Sequence, residues 1–373
     1  MIEYFISFVL AFILAFSATP IAKKIAFKIG AVDVPKDNRR MHKKPIARLG
    51  GLAIVAAFLV STLFTIASPF SGTGIMGIDK QFGGMLAGIL IILAVGIVDD
   101  VKQLGAKIKF LFQILAAVIV VWSGTSITFV TNPLAANGMS NLNPIISYIV
   151  TVLWIVGITN AINLIDGLDG LAAGVSSIAS LSLFIVSVLR GEIETAMLTA
   201  ALAGSALGFL PYNFNPAKIF MGDTGATFLG FTLGVVSIQG TLKQYTAIAI
   251  AIPLLVLGLP LFDTIFAILR RLLQGKSPMQ ADRGHLHHRL IDMGLSHKQS
   301  VVVMYTVSSA LGLCAIVLAD KGVLSAIILV ISVSAFVVAG AKYMSEIEDT
   351  KEEPKPVQPD NEGEVVKKIV ENR

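Results

Sequence analysis

Long apolar stretches, each close to the length that crosses a bilayer and separated by short polar loops, govern what this chain can fold into. Hydrocarbon offers no partner to a backbone N–H or C=O, so a chain crosses it as helices or as a closed barrel. A spanning helix takes roughly 20 apolar residues. Eleven stretches qualify, near 3–28, 49–68, 82–98, 108–123, 145–159, 171–189, 196–211, 225–239, 246–270, 300–319 and 322–341. Merging or breaking of neighbours such as the fifth and sixth leaves ten as an alternative count. With 55% hydrophobic and 14% charged residues and a mean hydropathy of +0.80, a soluble multidomain protein is excluded. The expected fold is an all-α, polytopic integral membrane helix bundle, with Pro253 and Pro260 as places for the ninth span to bend.

Charge sets the expected orientation, because Lys and Arg are retained on the cytoplasmic side. Loops on one side carry 19 basic residues before the tail is counted, and the opposite loops carry four: Lys80, Arg190, Lys243 and Lys321. This puts the N-terminus outside and the C-terminus in the cytoplasm. The first stretch has Glu3 before it and Lys23, Lys24 and Lys28 after it, the reverse of a secretory signal, so it reads as a retained helix. Residues 1–344 form the expected membrane domain. The Glu-, Lys- and Pro-rich segment 345–373 reads as a disordered cytoplasmic tail. Cys314 has no partner, which excludes a disulfide framework. The net charge of +5 is spread by loop and not interleaved with aromatics, which speaks against nucleic acid.

Overlaid on this topology, the patterned acids all fall in cytoplasmic loops. Asp99 and Asp100 end the third span; two adjacent carboxylates call for a cation such as Mg²⁺, or form a solvated helix end. Asn160, Asn163, Asp166 and Asp169 recur every third residue and would line one helical face, with Gly167 and Gly170 letting the backbone leave the helix or approach a ligand. Paired acids in apolar surroundings default to function. The loop from Pro211 through Asn213 and Phe220 turns into a helix at Asp223, which either caps that helix or addresses a phosphate at its start. Asp282, Arg283, His285, His287, His288 and Arg289 concentrate phosphate-binding groups. Structural zinc is disfavoured, since no cysteine is near and the adjacent His287 and His288 side chains are expected to diverge. Asp263, seven residues before Arg270 and so roughly 10 Å deeper by helical rise, is either an internal ion-pair partner or part of the site. Clustered Asp, His and Arg without a nucleophilic Ser or Cys suit phosphate chemistry by positioning and electrostatics. No Walker-type glycine loop supports an ATP-driven pump.

These residues resemble the polyprenyl-phosphate N-acetylhexosamine-1-phosphate transferases, glycosyltransferase family 4. The resemblance rests on Asp33-x-Pro35 with Arg39, His42, Pro45 and Arg48-Leu-Gly-Gly51; on Asp99-Asp100; on Asn163-x-x-Asp166-Gly-x-Asp169-Gly; on Phe220-Met-Gly-Asp223-Thr-Gly; and on His285-x-His287-His288. It covers nearly all of the membrane portion. It implies that undecaprenyl phosphate attacks the β-phosphorus of a UDP-sugar at the cytoplasmic face of the cell membrane, releasing UMP. By the same resemblance Asp223, with Asp100, holds Mg²⁺ (Mn²⁺ being an alternative), and Asp99 is the favoured base. Catalysis falls to Asp99, Asp100, His285, His287 and His288. Substrate contact falls to Arg48, Asn163, Asp166, Gly167, Leu168, Asp169, Asn213, Phe220 and Arg283. The His-Leu-His-His-Arg run looks like the branch using UDP-GlcNAc, which would start teichoic acid or another envelope glycan. The muramoyl-pentapeptide branch is the alternative within the family, and an ion-coupled transporter the alternative outside it. A transporter's site belongs near the midplane, whereas here only Asp263 lies deep. The bilayer and the two substrates are the expected partners, and a homodimer is compatible with the sequence.

Overall fold

The computed structural model describes residues 2–34, 45–67, 79–131, 139–241, 250–275 and 284–325, with positions 327, 329 and 331. Almost all of them belong to one compact unit, Met1–Ala326; the other, Ile327–Arg373, lies almost wholly outside the described residues, and with it the tail expected at 345–373. Helices follow one another as α1 (Ile2–Ile29), α2 (Gly50–Ala67), α3 (Lys80–Lys102), α4 (Ala106–Trp122), α5 (Pro144–Ile165), α6 (Leu171–Leu189), α7 (Ile193–Asn213), α8 (Gly222–Thr241), α9 (Ala251–Val256), α10 (Gly258–Leu273), α11 (Leu286–Asp292) and α12 (His297–Lys321).

Seven of these, α1, α2, α3, α5, α6, α7 and α12, are individually long and apolar enough to cross a membrane, and the chain is a multi-pass membrane protein. The expected spans differ from the observed helices for identifiable reasons. The stretch expected as the fourth span forms α4, of 17 residues, and the one expected as the ninth is broken at Leu257 into α9 and α10, near the prolines Pro253 and Pro260. The fifth and sixth do not merge, because a turn at 166–170 parts α5 from α6. Most of the eleventh, 322–341, lies outside the described residues. The fold is all-α as expected, with two small antiparallel pairs in the connections. β1 (Val32–Asp33) pairs with β2 (Ile46–Ala47), and β3 (Phe129–Thr131) with β4 (Met139–Asn141).

Local chemistry starts and stops the helices. Asp79 caps α3 by accepting from the Phe82 N–H at 2.7 Å, Asn143 caps α5 ahead of Pro144, and Ser296 with Gln299 forms a capping box on α12. Gln103 ends α3 in the left-handed region, at φ 54°. Packing makes α8 the central helix, against α2, α3, α5 and α6. Its Phe228, Leu229, Phe231, Leu233, Val235 and Val236 are fully buried, which shields its Thr and Gly content from lipid. Backbones meet closely where side chains are missing. A methyl group on Gly51 would lie 2.1 Å from the Gly225 nitrogen, and one on Gly96 2.6 Å from the Thr224 Cα. These contacts bring α2 and α3 onto the first turn of α8.

Candidate active site

The C-terminal end of α3 and the first turn of α8 form the centre of the site. Asp100, whose side chain is fully buried, accepts from the Asp223 N–H through Oδ1 at 2.9 Å and from the Thr224 N–H and hydroxyl through Oδ2 at 3.1 and 2.6 Å. The α8 N-terminus is thus capped from a neighbouring helix, so Asp223 does not have to cap its own helix. Gly222 makes this possible: at φ 72°, with a Cβ position 2.5 Å from Asp100 Oδ2, only glycine fits. Lys109, in the first turns of α4, bridges two acids, donating to Asp99 Oδ2 at 3.1 Å and to Asp223 Oδ2 at 2.5 Å. Asp99 Oδ1 also accepts from the Leu104 N–H at 2.6 Å. Arg48 places Nη2 3.8 Å from both Asp100 Oδ1 and Asp223 Oδ1. Three carboxylates and two cations therefore share one network.

The second wall is the turn between α5 and α6. The helix stops at Ile165, with Asp166 as its cap residue, so the even polar stripe expected from Asn160 to Asp169 is not a single helical face. Asn160 donates to Gln113 Oε1 and to the Val156 carbonyl, inside the bundle. The carboxyl of Asp166 is pushed up to about 7, first by burial and then by the negative charges of Asp223 and Asp100, which places it in the field of the central acids. Asp169 turns to the loop before α8, where its Oδ2 accepts from Asn215 Nδ2 and the Ala217 N–H at 3.0 and 2.9 Å. Asn213, 2% exposed, accepts from the Gly170 N–H at 3.1 Å and donates to the Ile219 carbonyl at 3.0 Å. Asn213 and Asp169 hold the two loops in register. Leu168 is buried, Asn163 and Phe220 are half-buried, and Gly167 is exposed.

The third wall carries the histidines. His285 and His287 stack, with ring centroids 5.8 Å apart and planes 8° off parallel. The expectation that His287 and His288 diverge is overturned: at the start of the short α11 their ring centroids are 4.3 Å apart, with the planes tilted by 44°. His287 is 1% exposed and packs against the α5–α6 turn, where a Cβ on Gly167 would meet its Nε2 at 2.4 Å. Burial, then the neighbouring His288, pulls its imidazole down to about 4, so it is neutral at physiological pH. Asp282 and Arg283 lie outside the described residues, as do Pro35, Arg39 and His42.

The pattern of glycosyl transferase family 4 matches residues 82–241, which span α3 to α8 and hence every acid of the network. A Bacillus subtilis strain 168 protein named as a probable undecaprenyl-phosphate N-acetylglucosaminyl 1-phosphate transferase is 42% identical over 323 residues, covering 85% of this chain and 86% of that one. The chain belongs to glycosyl transferase family 4, the polyprenyl-phosphate N-acetylhexosamine-1-phosphate transferases. Two other relatives are less similar than this one. The decaprenyl-phosphate N-acetylglucosaminephosphotransferase of Mycolicibacterium smegmatis is 35% identical over 90% of this chain and 88% of its own length. The undecaprenyl-phosphate alpha-N-acetylglucosaminyl 1-phosphate transferase of Yersinia pestis is 27% identical over 80% of this chain and 79% of its own.

As a member of this family, the chain is a transferase, and its structure adds residues that sequence reasoning passed over. Lys109 counted there only as a topology signal, yet it is the cation between Asp99 and Asp223. A basic residue one turn inside an apolar helix, close behind a paired acid, was the available clue. Thr224 appeared only as a letter in a motif, and its hydroxyl fixes Asp100. Tyr305 of α12 gave no signal, although its hydroxyl donates to the Gly170 carbonyl at 2.6 Å and braces the α5–α6 turn.

Proposed function

We propose that this chain transfers GlcNAc-1-phosphate from UDP-GlcNAc to undecaprenyl phosphate, giving UMP and undecaprenyl-diphospho-GlcNAc, as the first membrane step of teichoic acid or another envelope glycan. The observation that carries the proposal is the shared network of Asp99, Asp100, Asp223, Arg48 and Lys109 at one end of the bundle. The names of the relatives support a polyprenyl-phosphate acceptor and an N-acetylglucosaminyl phosphate as the group moved, and UDP as the donor's leaving half follows from the family resemblance. A lipid phosphate oxygen bonds to the β-phosphorus while the bond from that phosphorus to the bridging oxygen breaks, and the UMP phosphate leaves with the electron pair.

The acids fit Mg²⁺, with Mn²⁺ as a substitute. The donors are hard carboxylate oxygens, and they already attract a cation, since the Lys109 ammonium lies between Asp99 and Asp223. Among the described residues no three His, Cys, Asp or Glu side chains form a complete cage. That suits an ion that takes one or two carboxylates and completes its shell with substrate phosphates. When bound, the ion neutralises charge developing on the transferred phosphoryl group. Asp223 is the direct ligand we assign. Asp100, whose two oxygens already accept from α8, holds that helix start in place and adds charge behind Asp223. Asp99 is the base, or, since a lipid phosphate is largely ionised at neutral pH, an electrostatic partner to Lys109. Asp166, Gly167, Leu168, Asp169 and Phe220 form the nucleotide side of the opening, and the His loop with Arg283 addresses the phosphates. Eleven spans with the N-terminus outside put this end on the cytoplasmic face of the cell membrane.

The test is UMP release by the purified protein in detergent with undecaprenyl phosphate and UDP-GlcNAc, with and without Mg²⁺, alongside Asp223→Asn. UMP formed only with both substrates and Mg²⁺, and lost in the variant, supports the proposal. Turnover with UDP-MurNAc-pentapeptide alone would reassign the donor, and turnover with no UDP-sugar would end the transferase reading of this substrate pair.

A further inference from the structure

Two clasps fix the histidine-bearing segment to α10. Asp263 and Arg270 stand seven residues apart on that helix, about two turns, and so share a face. Arg270 Nη1 donates to the Gly284 carbonyl at 2.9 Å, and its guanidinium fills the space where a side chain on Gly284 would stand. Asp263 accepts twice: from the Leu286 N–H through Oδ1 at 2.8 Å, and from His285 Nδ1 through Oδ2 at 3.0 Å. Both side chains of the Asp263–His285 pair are about nineteen-twentieths buried, at 6% and 5% exposure. Beside this face, Phe262, Phe266, Leu269 and Leu273 of α10 are exposed and apolar, as a lipid-facing surface should be. A carboxylate on the inner face of such a helix is costly unless it is fully bonded, and here both oxygens are.

We propose that Asp263 is a positioning residue for the transfer: it fixes the orientation and the protonated nitrogen of His285, and through the stacked His287 seats the histidine helix on the Gly167 turn. A carboxylate is acceptor-only, so the His285 atom facing it must be an Nδ1–H, which leaves Nε2 as the nitrogen open to a partner. The ring so fixed stacks on His287, and His287 in turn touches Gly167, one residue from Asp166. Position is thus handed from α10 to the centre of the site through two stacked rings. An amide at position 263 cannot do the same. Leu286 N–H faces one carboxylate oxygen and His285 Nδ1–H the other, so an amide would set its NH2 donor against one of these two donors.

The kinetic arm rests on the transferase reading above, and a spectroscopic arm does not. In the purified full chain, Asp263→Glu keeps both acceptor oxygens and Asp263→Gln, of the same length, keeps one. UMP release should fall roughly 10- to 100-fold further in Asp263→Gln than in Asp263→Glu, in kcat and with KM for UDP-GlcNAc nearly unchanged. In the His285→Gln background, exchanging Glu for Gln at position 263 should make no further difference. Equal kcat for the two variants, or a loss in the double variant equal to the product of the single losses, would overturn the proposal. Nitrogen-15 spectra of histidine-labelled protein at pH 8, with His285 assigned by its loss in His285→Gln, should show the proton on Nδ1. They should show a redistribution toward Nε2 in Asp263→Gln. An Nε2–H ring in the native protein, or identical spectra for both, sinks the proposal whether or not UMP is released.

Discussion

At the scale of single residues, the site is a problem in balancing charge. Lys109 and Arg48 stand among Asp99, Asp100 and Asp223, and removing one cation leaves buried acids uncompensated. Replacing Lys109 with Met should destabilise the protein by about 3–5 kcal/mol in metal-free buffer, the usual consequence of stripping one partner from a buried pair. Added Mg²⁺ should raise the thermal midpoint of this variant more than that of the native protein, since a divalent ion can take over the neutralising role; equal responses would argue that no cation is taken up between these acids. His287 predicts a pH effect of definite sign. Its folded value, about 4, is below the usual 6.5, so the unfolded chain takes up the proton first as pH falls. The contribution is complete above pH 6.5 and is lost progressively down to pH 4, by about 3 kcal/mol in all. Denaturation midpoints measured from pH 7.5 to 4.5 should show this decline, and His287→Gln should flatten it.

At the scale of elements, glycines let helices carry functional groups to one another. α3 reaches the first turn of α8 because Gly96 has no side chain opposite Thr224, and α2 reaches the same turn through Gly51. Valine at position 96 should push α3 away from Thr224 at a stability cost of about 1–3 kcal/mol. It should also separate Asp100 from its three donors, so UMP release should fall at least 10-fold while the protein still purifies as a single species; retained activity would show that the α3–α8 spacing has slack. The loops were less legible than the helices. The periodic Asn160, Asn163, Asp166 and Asp169 read as one stripe, but helix periodicity says nothing of where a helix ends. The end of α5 at Ile165 and the Asp169 bonds to the next loop turn the last two members out of line.

At the scale of the whole molecule, orientation rests on the Lys and Arg count, which can be tested directly. The native cysteine, Cys314, is 2% exposed and should stay silent to a membrane-impermeant thiol reagent. Asn141→Cys should be labelled in intact cells and Lys107→Cys only after permeabilisation; the reverse pattern would invert the topology. Sequence alone determined that the chain is a helical membrane protein and that its acids, Arg48 and the histidines belong to one end, because hydropathy and loop charge are local properties summed along the chain. It also carried the family, since the motifs at Asp99–Asp100, Asp166–Asp169, Asp223 and His285–His288 are contiguous. Only the tertiary structure decided which acid meets which donor. Lys109 joins Asp99 to Asp223 across 114 residues, Thr224 meets Asp100 across 124, and Tyr305 reaches Gly170 across 135. Such pairings follow from the close packing of α3, α4 and α12 against their neighbours, and no local pattern encodes how two helices will meet.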